Sequence, residues 1–133
     1  MTVAVAHQVS PTGHIALMEG AREASLRQTD LEVIHVVESI DLDVTEAHQA
    51  GLSDEIDKVL SEAGLDQVSW HLHLATGENV SATVLDLAAE VKADLLVIGA
   101  RRRSPVGKFL LGSVTQSIIL DAPIPVVVVK PPL

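Results

Sequence analysis

The sequence predicts an α/β protein in which helices cover both faces of a parallel sheet. Short, continuously apolar runs alternate along the chain with longer segments whose apolar residues recur at helical spacing. This alternation is typical of βαβ units with right-handed crossovers. The composition agrees, because aliphatic residues dominate while the chain has one Trp, one Phe and no Tyr. A length of 133 residues suits one domain, which we expect to span residues 1–133.

The first part of the chain predicts two strands separated by a helix. Residues 2–6 are continuously apolar, as expected of a strand buried on both faces. A helix is predicted over residues 11–28, with the Ser10-Pro11 pair supplying an N-cap and a first helical residue. The second strand covers residues 31–37, where His35 interrupts an apolar run. We interpret His35 as a core or strand-end histidine rather than a ligand.

The middle of the chain predicts a helix followed by an edge strand. Apolar spacing from Leu52 to Ala63 marks one helical face, which ends before Gly64, and Gly51 is expected to break or delay the helix. Residues 68–74 alternate strictly between apolar and polar side chains. This alternation predicts a strand that is half buried, hence one at the edge of the sheet.

His71 and His73 share the polar face of that strand. Two such histidines could chelate a metal ion, but no nearby carboxylate or third histidine is evident from the sequence. We therefore predict no metal site.

The last part of the chain predicts two helices and two strands. Apolar spacing from residue 80 to residue 91 gives the third helix, and residues 95–98 form the fourth strand. A short helix is predicted from Ser113 to about residue 120. The final strand begins at Ile124 and ends at Val129.

The stretch between the fourth strand and the fourth helix is a candidate anion site. Gly99 and Gly112 would let the backbone approach a ligand closely, and Ser113 would add a hydroxyl to the free N–H groups of a helix start. Arg101, Arg102 and Arg103 bring charge that suits phosphate. An ordinary loop with solvated arginines is the alternative.

Topology favours the ligand site. Ligands of open parallel sheets bind beyond the carboxyl ends of the strands, at the point where the winding reverses. If the first and fourth strands are neighbours, the loops after Ala6 and Ile98 face one crevice.

Composition narrows the possible functions. A net charge of −9 and the scarcity of aromatic residues argue against nucleic-acid binding. The chain has no cysteine, which excludes disulfides and thiolate chemistry. No apolar run approaches the roughly 20 residues that span a bilayer, and no basic-then-apolar leader is evident. We expect a cytoplasmic protein that contacts neither nucleic acid nor membrane.

Three motifs carry a resemblance to a known family. They are the strand end Val97-Ile-Gly99, the run Leu110-Leu-Gly-Ser-Val-Thr115, and the closing Asp121-Ala-Pro-Ile-Pro-Val-Val-Val-Val-Lys130. Over essentially its whole length the chain resembles the universal stress protein family. The resemblance implies an open five-stranded parallel sheet in the order 3-2-1-4-5, an adenine-nucleotide alpha-hydrolase-like, Rossmann-like fold. It also implies a stress-response protein that binds ATP, AMP or another adenine nucleotide, with Mg²⁺ only alongside that nucleotide.

The resemblance also implies site residues. Val36 would lie against the base, while the phosphates and ribose would be surrounded by Gly99, Arg101, Gly112, Ser113, Val114 and Thr115. Two positions depart from the family pattern. Arg102 stands where nucleotide binders carry a second glycine, so it either grips a phosphate or obstructs the backbone approach. Gln8 stands where the family usually has an aspartate, and its amide could replace part of that hydrogen bonding.

Two functions therefore remain open. One is a nucleotide-binding stress protein, and the other is a dimeric interaction module whose site no longer binds nucleotide. In both, the resemblance implies a homodimer that pairs through the strand from Ile124 to Val129, whose apolar edge needs a partner.

An enzyme is not predicted. Gly107-Lys108 is followed by Phe109, which does not fit a phosphate-binding Walker loop. No acid or base that could support hydrolysis follows the arginines.

Overall fold

Strands and helices alternate through the residues that the computed structural model describes, which are 1–37, 46–100 and 111–131. The elements in chain order are β1 Val3–Ala6, α1 Pro11–Leu26, β2 Leu31–Val37, α2 Glu46–Glu62, β3 Trp70–Thr76, α3 Val80–Glu90, β4 Leu95–Gly99, α4 Ser113–Asp121 and β5 Val126–Val129.

The strands form one parallel sheet in the order β3-β2-β1-β4-β5, as predicted. β1 lies at the centre, where Val3 is in register with Leu31 of β2 on one side and Leu95 of β4 on the other. The chain therefore winds one way from β1 to β3 and the other way from β4 to β5. Its reversal point lies between β1 and β4.

Each face of the sheet packs against its own pair of helices. Alternate residues of the strands meet α1 and α2 in one core, which includes Val5, Leu17 and Ile56. The intervening residues meet α3 and α4 in a second core, which includes Leu96 and Ile118. β1 and β4 are buried on both faces, and this explains their continuously apolar sequences.

The start of α1 and all of β2 agree with the sequence predictions. Ser10 is the N-cap of α1, and its Oγ accepts a hydrogen bond from the Gly13 N–H at 3.0 Å. β2 spans Leu31–Val37, the predicted range. β3 is an edge strand as predicted, but it begins at Trp70 rather than at residue 68, because the Val68 N–H is used in a turn to the Leu65 carbonyl.

The predicted start of α2 was wrong. The helix begins at Glu46 and continues through Gly51 instead of being broken or delayed there. Gly51 is exposed, and a methyl group added to it would meet nothing within 4 Å. A glycine in such a place costs a helix only about 1 kcal/mol, which its neighbours offset.

The predicted start of the last strand was also early. β5 begins at Val126, whereas Ile124 and Pro125 precede it. Pro125 has no N–H to donate, so it contributes only its carbonyl, which accepts a hydrogen bond from the Leu96 N–H at 3.1 Å.

Within the described ranges, the structure has no helix long and apolar enough to cross a membrane.

Gly51, inside α2, and Gly64, two residues beyond its end, should respond oppositely to substitution. Gly51→Ala is expected to stabilise the protein by about 0.5–1 kcal/mol, because alanine favours the helix interior. Gly64→Ala is expected to destabilise it by about 1–2 kcal/mol, because Gly64 ends the helix at φ 72°. Urea unfolding of both variants beside the wild type measures the difference. Equal shifts of the same sign would contradict the assignment of α2.

Candidate ligand-binding crevice

A crevice of about 290 Å³ opens beyond the carboxyl ends of β1 and β4, where the winding of the sheet reverses. This is the position at which open parallel sheets bind ligands. The volume lies near the lower end of the range for small-molecule sites. Ala6 and Gln8 from one side and Ile98 and Gly99 from the other line this crevice, whereas residues 101–110 of the loop after β4 lie outside the described residues.

The crevice has apolar walls and a polar rim. The apolar walls come from strand ends and from the first turns of α3, and their residues are Ala6, Ile34, Val36, Val80, Val84 and Ile98. The polar groups come from the loop after β1 and from the start of α4, and they include Gln8, Ser10, Thr12 and Thr115. A second, more open pocket adjoins the first through Gln8, Val36, Val80 and Val114 and extends towards Ser113.

Three helix starts surround these pockets, and they differ in how their N–H groups are satisfied. Ser10 caps α1 through its hydroxyl, and Asn79 caps α3 by accepting from the Ala82 N–H at 3.1 Å. The N-cap of α4 is Gly112, which has no side chain and makes no capping hydrogen bond within the described residues. The first N–H groups of α4 therefore present positive partial charge at the crevice, which suits an anionic group.

Two glycines allow the first turn of α1 to pack closely against the end of β4 and against the loop after β1. A Cβ on Gly99 would lie 2.6 Å from Thr12 Cγ2 and 2.7 Å from the Thr12 carbonyl oxygen. A Cβ on Gly13 would lie 1.9 Å from the Gln8 carbonyl oxygen. Both positions exclude any larger residue, so the shape of this side of the crevice depends on them.

Thr115 joins α4 to the end of β4. Its side chain is buried, and its hydroxyl donates a 3.4 Å hydrogen bond to the Gly99 carbonyl. This bond fixes the first turn of α4 relative to the sheet.

The structure brings most of the sequence-predicted site residues together. Gly99, Gly112, Val114, Thr115, Val36 and Gln8 line the crevice, and Ser113 lines the adjoining pocket. Arg101 and Arg102 lie outside the described residues. Their predicted roles stay predictions, as does the assignment of all these residues to nucleotide binding.

Sequence reasoning missed the contributions of two helices. Thr12 and Gly13 of α1, and Val80 and Val84 of α3, also line the crevice. The Ser10 cap and the apolar spacing from residue 80 marked the two helices, but only the strand order shows that their starts face the same crevice.

Two histidines meet behind the loop after β1. His7 is 3 % exposed, and its Nδ1 lies 2.9 Å from Nδ1 of His35. Its other ring nitrogen, Nε2, is buried without a hydrogen-bond partner. Burial, followed by the neighbouring His35, lowers the pKa of His7 to about 4. Burial, followed by His48, also lowers the pKa of His35, so both rings are neutral at pH 7.

The histidines of β3 have carboxylate partners that the sequence did not reveal. His71 Nε2 lies 3.0 Å from Asp30 Oδ2, and His73 Nε2 lies 2.8 Å from Glu32 Oε2. Both carboxylates come from the neighbouring β2 segment, so only the strand pairing places them there. Nevertheless, across residues 1–37, 46–100 and 111–131, no three histidine, aspartate or glutamate side chains are grouped to hold a metal ion.

Comparisons of the sequence and of the structure with known proteins point to the same family. A sequence model of the Universal stress protein family matches residues 1–130. A universal stress protein of Mycolicibacterium smegmatis is 33% identical over 129 residues, 97% of each chain. The structure of a universal stress protein from Archaeoglobus fulgidus superposes with a TM-score of 0.75 at 29% identity, covering 98% of each chain. A second structure, of the universal stress protein from Archaeoglobus fulgidus in complex with dAMP, gives 0.71 at 24% identity over 98% of each chain.

Gly13→Ala tests the packing that shapes the crevice. The added methyl group would collide with the Gln8 backbone, which cannot yield as a flexible side chain would. We expect a loss of about 2–3 kcal/mol in the free energy of unfolding, typical of forcing an atom into a packed site. Urea unfolding measures the loss, with Gly51→Ala as the matched control. A Gly13→Ala protein as stable as the control would contradict the described loop.

Proposed function

Because the chain belongs to the universal stress protein family, we propose that it binds an adenine nucleotide in the crevice and acts through that binding without catalysing a reaction. The observation that carries the proposal is the α4 start, whose N–H groups open on an apolar-walled crevice at the reversal of the sheet. The dAMP complex of the Archaeoglobus fulgidus protein supports the ligand class.

The two parts of the crevice suit the two parts of a nucleotide. The apolar walls around Val36 and Val80 offer a surface for a base. The α4 start, with Gly112 and Ser113, offers N–H groups and a hydroxyl for a phosphate. Gln8 lies on the rim, where its amide can both donate and accept hydrogen bonds. Mg²⁺ would then bind only together with the phosphates.

The titratable groups of the crevice support a binding role rather than catalysis. Among the described residues, His7 is the only titratable side chain that lines the apolar-walled crevice, and Glu78 lines the adjoining pocket. The pKa of His7 is lowered to about 4 by burial and His35, and both of its ring nitrogens are buried or engaged. A general base needs a pKa near the working pH and reach to a substrate proton. A cytoplasmic setting, where ATP and AMP are available, fits this role.

Placing a negative charge at the start of α4 should weaken nucleotide binding without destabilising the fold. Gly112→Asp is expected to cap α4, because aspartate is a favoured N-cap residue and the backbone at φ −68° and ψ 163° accepts it. The same carboxylate would repel a phosphate. Isothermal titration with ATP, AMP and cyclic AMP at physiological salt should show binding to the wild type and at least tenfold weaker binding to Gly112→Asp.

The matched control for that titration is Gly51→Ala, which changes an exposed glycine of α2 and should leave affinity unchanged. Urea unfolding should show that Gly112→Asp is as stable as the wild type. The absence of heat with all three nucleotides would contradict nucleotide binding. It would favour the second candidate, a dimeric module without a ligand, for which the neutral Gln8 in place of an aspartate is the favouring observation.

We also propose that the protein is a homodimer through β5. The β5 side chains are only half buried although all four are valines. The carbonyls of Pro125 and Val129 face β4, since they accept from Leu96 and Ala100. By strand alternation, the backbone groups of Val126 and Val128 point away from the sheet and are placed to pair with another strand.

Val128→Pro tests the dimer with little effect on the protomer. It removes an outward N–H while leaving the β4 pairing groups of β5 in place, and proline is tolerated at a sheet edge. Light scattering after gel filtration should give twice the 14.1 kDa chain mass for the wild type and the monomer mass for the variant. A wild type that runs as a monomer across micromolar concentrations would contradict the dimer.

A further inference from the structure

Five ionisable side chains lie near one another on the side of the sheet that carries α1 and α2. His7 and His35 come from the ends of β1 and β2, His14 from α1, and His48 and Glu55 from α2. His7 and His35 share the 2.9 Å Nδ1 contact, and the His35 and His48 ring centroids are 6.4 Å apart. His14 Nε2 lies 2.5 Å from Glu55 Oε1. The cluster therefore sets four bases against one carboxylate.

The contact between the Nδ1 atoms of His7 and His35 is stable when one hydrogen lies between them, but not when both atoms carry a hydrogen. At 2.9 Å one Nδ1 must donate and the other must accept. When both rings are fully protonated, both Nδ1 atoms are donors and two positive charges face each other. Protonated His7 would also carry an N–H at Nε2, which is buried without an acceptor. Full protonation is therefore incompatible with the closed packing.

Among the described residues, the first half of α2 contributes few buried apolar side chains to this packing. The core beneath α1 and α2 takes in Ile56 and Leu60, which belong to its second half. In the first half, residues 48–51 are exposed, and Leu52 is the buried apolar side chain. The Glu55–His14 pair joins the middle of the helix to α1. Local opening of such a segment costs less than global unfolding.

The pair is linked directly to the crevice through the chain itself. The His7 N–H donates to the Ile34 carbonyl at 2.8 Å, and the Gln8 carbonyl accepts from the Ser10 N–H at 3.0 Å. Gln8 lies tightly against Gly13, where no space remains for a methyl group. Movement of His7 therefore displaces Gln8 and the start of α1, which form one side of the crevice.

We propose that the His7–His35 pair is a proton switch on the crevice: protonation favours an open state in which the first half of α2 and residues 7–10 separate, and the nucleotide loses one side of its site. The effect on ligand rests on the proposed function, whereas the opening does not. Glu55 is the single carboxylate of the cluster and opposes opening by attracting the charged rings.

The direction follows from proton linkage. In the closed state the pKa of His7 is about 4, against 6.5 for the hydrated ring. Protons therefore bind the open state preferentially. The contribution of His7 to the stability of the closed state is fully present above pH 6.5 and is lost as the pH falls to about 4. For His7 alone, the opening equilibrium rises about 30-fold between pH 7.5 and pH 5. His35, whose pKa is also lowered, adds to this rise.

Amide hydrogen exchange followed by NMR measures the opening in protein without nucleotide. Protection factors of the His7 and His14 amides, corrected for intrinsic exchange, should fall about 30-fold or more from pH 7.5 to pH 5. Amides of Leu96 and Val97 in the buried β4 should keep higher protection throughout. A wild-type change below threefold would overturn the switch. An equal loss at β4 would also overturn it, because that loss reports global unfolding.

Variants assign the effect to the pair. Asparagine keeps a polar group near the Nδ1 position but does not titrate. His7→Asn and His35→Asn should therefore each weaken the pH dependence of amide protection. The double variant should reduce the change in protection between pH 7.5 and pH 5 below threefold. If His7→Asn does not fold, His35→Asn, at a half-exposed position, still tests the pair. His71→Asn removes an exposed histidine of β3 and should keep the wild-type response. A response that persists in the double variant would overturn the proposal.

A second experiment adds nucleotide and tests the link between the His7–His35 pair and the crevice. Whichever of ATP, AMP and cyclic AMP binds most tightly at pH 7.5 should restore protection of the His7 and His14 amides at pH 5, because it binds the closed state. A nucleotide that binds at pH 7.5 without restoring protection would overturn the link to the crevice. If none of the three binds, the proposed function fails while the exchange result still decides the switch.

Discussion

The close packing of the first turn of α1 against the end of β4 and against the loop after β1 is the constraint on which the rest of this region depends. Gly99 leaves room for Thr12, and Gly13 leaves room for the Gln8 carbonyl, with no space for a side-chain carbon at either glycine. In the closed structure this packing fixes where α1 starts and where Gln8 lies. Thr115 extends the same arrangement to α4 through its hydrogen bond to Gly99. The crevice is therefore shaped by backbone contacts more than by its lining side chains.

The loop after β1 borders two environments with opposite requirements. One is the apolar-walled crevice, whose α4 start favours negative charge. The other is the histidine cluster, whose closed packing requires His7 and His35 to stay neutral and which reaches the crevice at His7. Because His7 and Gln8 are consecutive residues, neither environment can change without moving the other. A loop that borders both a ligand site and a titratable cluster couples the two, and the coupling needs no long pathway through the protein.

Much of this architecture was predictable because local sequence patterns determine it. The buried runs of β1, β2 and β4 and the alternation of β3 report burial directly, so these strands and the edge place of β3 follow. The strand order and the edge place of β5, whose run is wholly apolar, came from the family resemblance instead. The start of α2 did not follow, since an exposed glycine such as Gly51 lowers helix propensity without preventing the helix. Site residues on the motif, such as Gly99 and Gly112, were predictable. The carboxylate partners of His71 and His73 and the His7–His35 contact were not, because they depend on how neighbouring strands are paired and on burial, which no local pattern encodes.

Charge raises the remaining question of why an acidic protein should attract an anionic ligand. The net charge is −9, which at long range repels a phosphate. At physiological salt, however, exposed charges act over only about 8 Å, so the groups nearest the phosphate decide the interaction. Within the described residues those groups are the free N–H groups of α4, and in the sequence Arg101, Arg102 and Arg103 lie between β4 and α4. Binding should therefore depend strongly on the α4 start and weakly on distant acids. A single carboxylate at Gly112 would consequently change affinity more than the protein's whole acidic surface does.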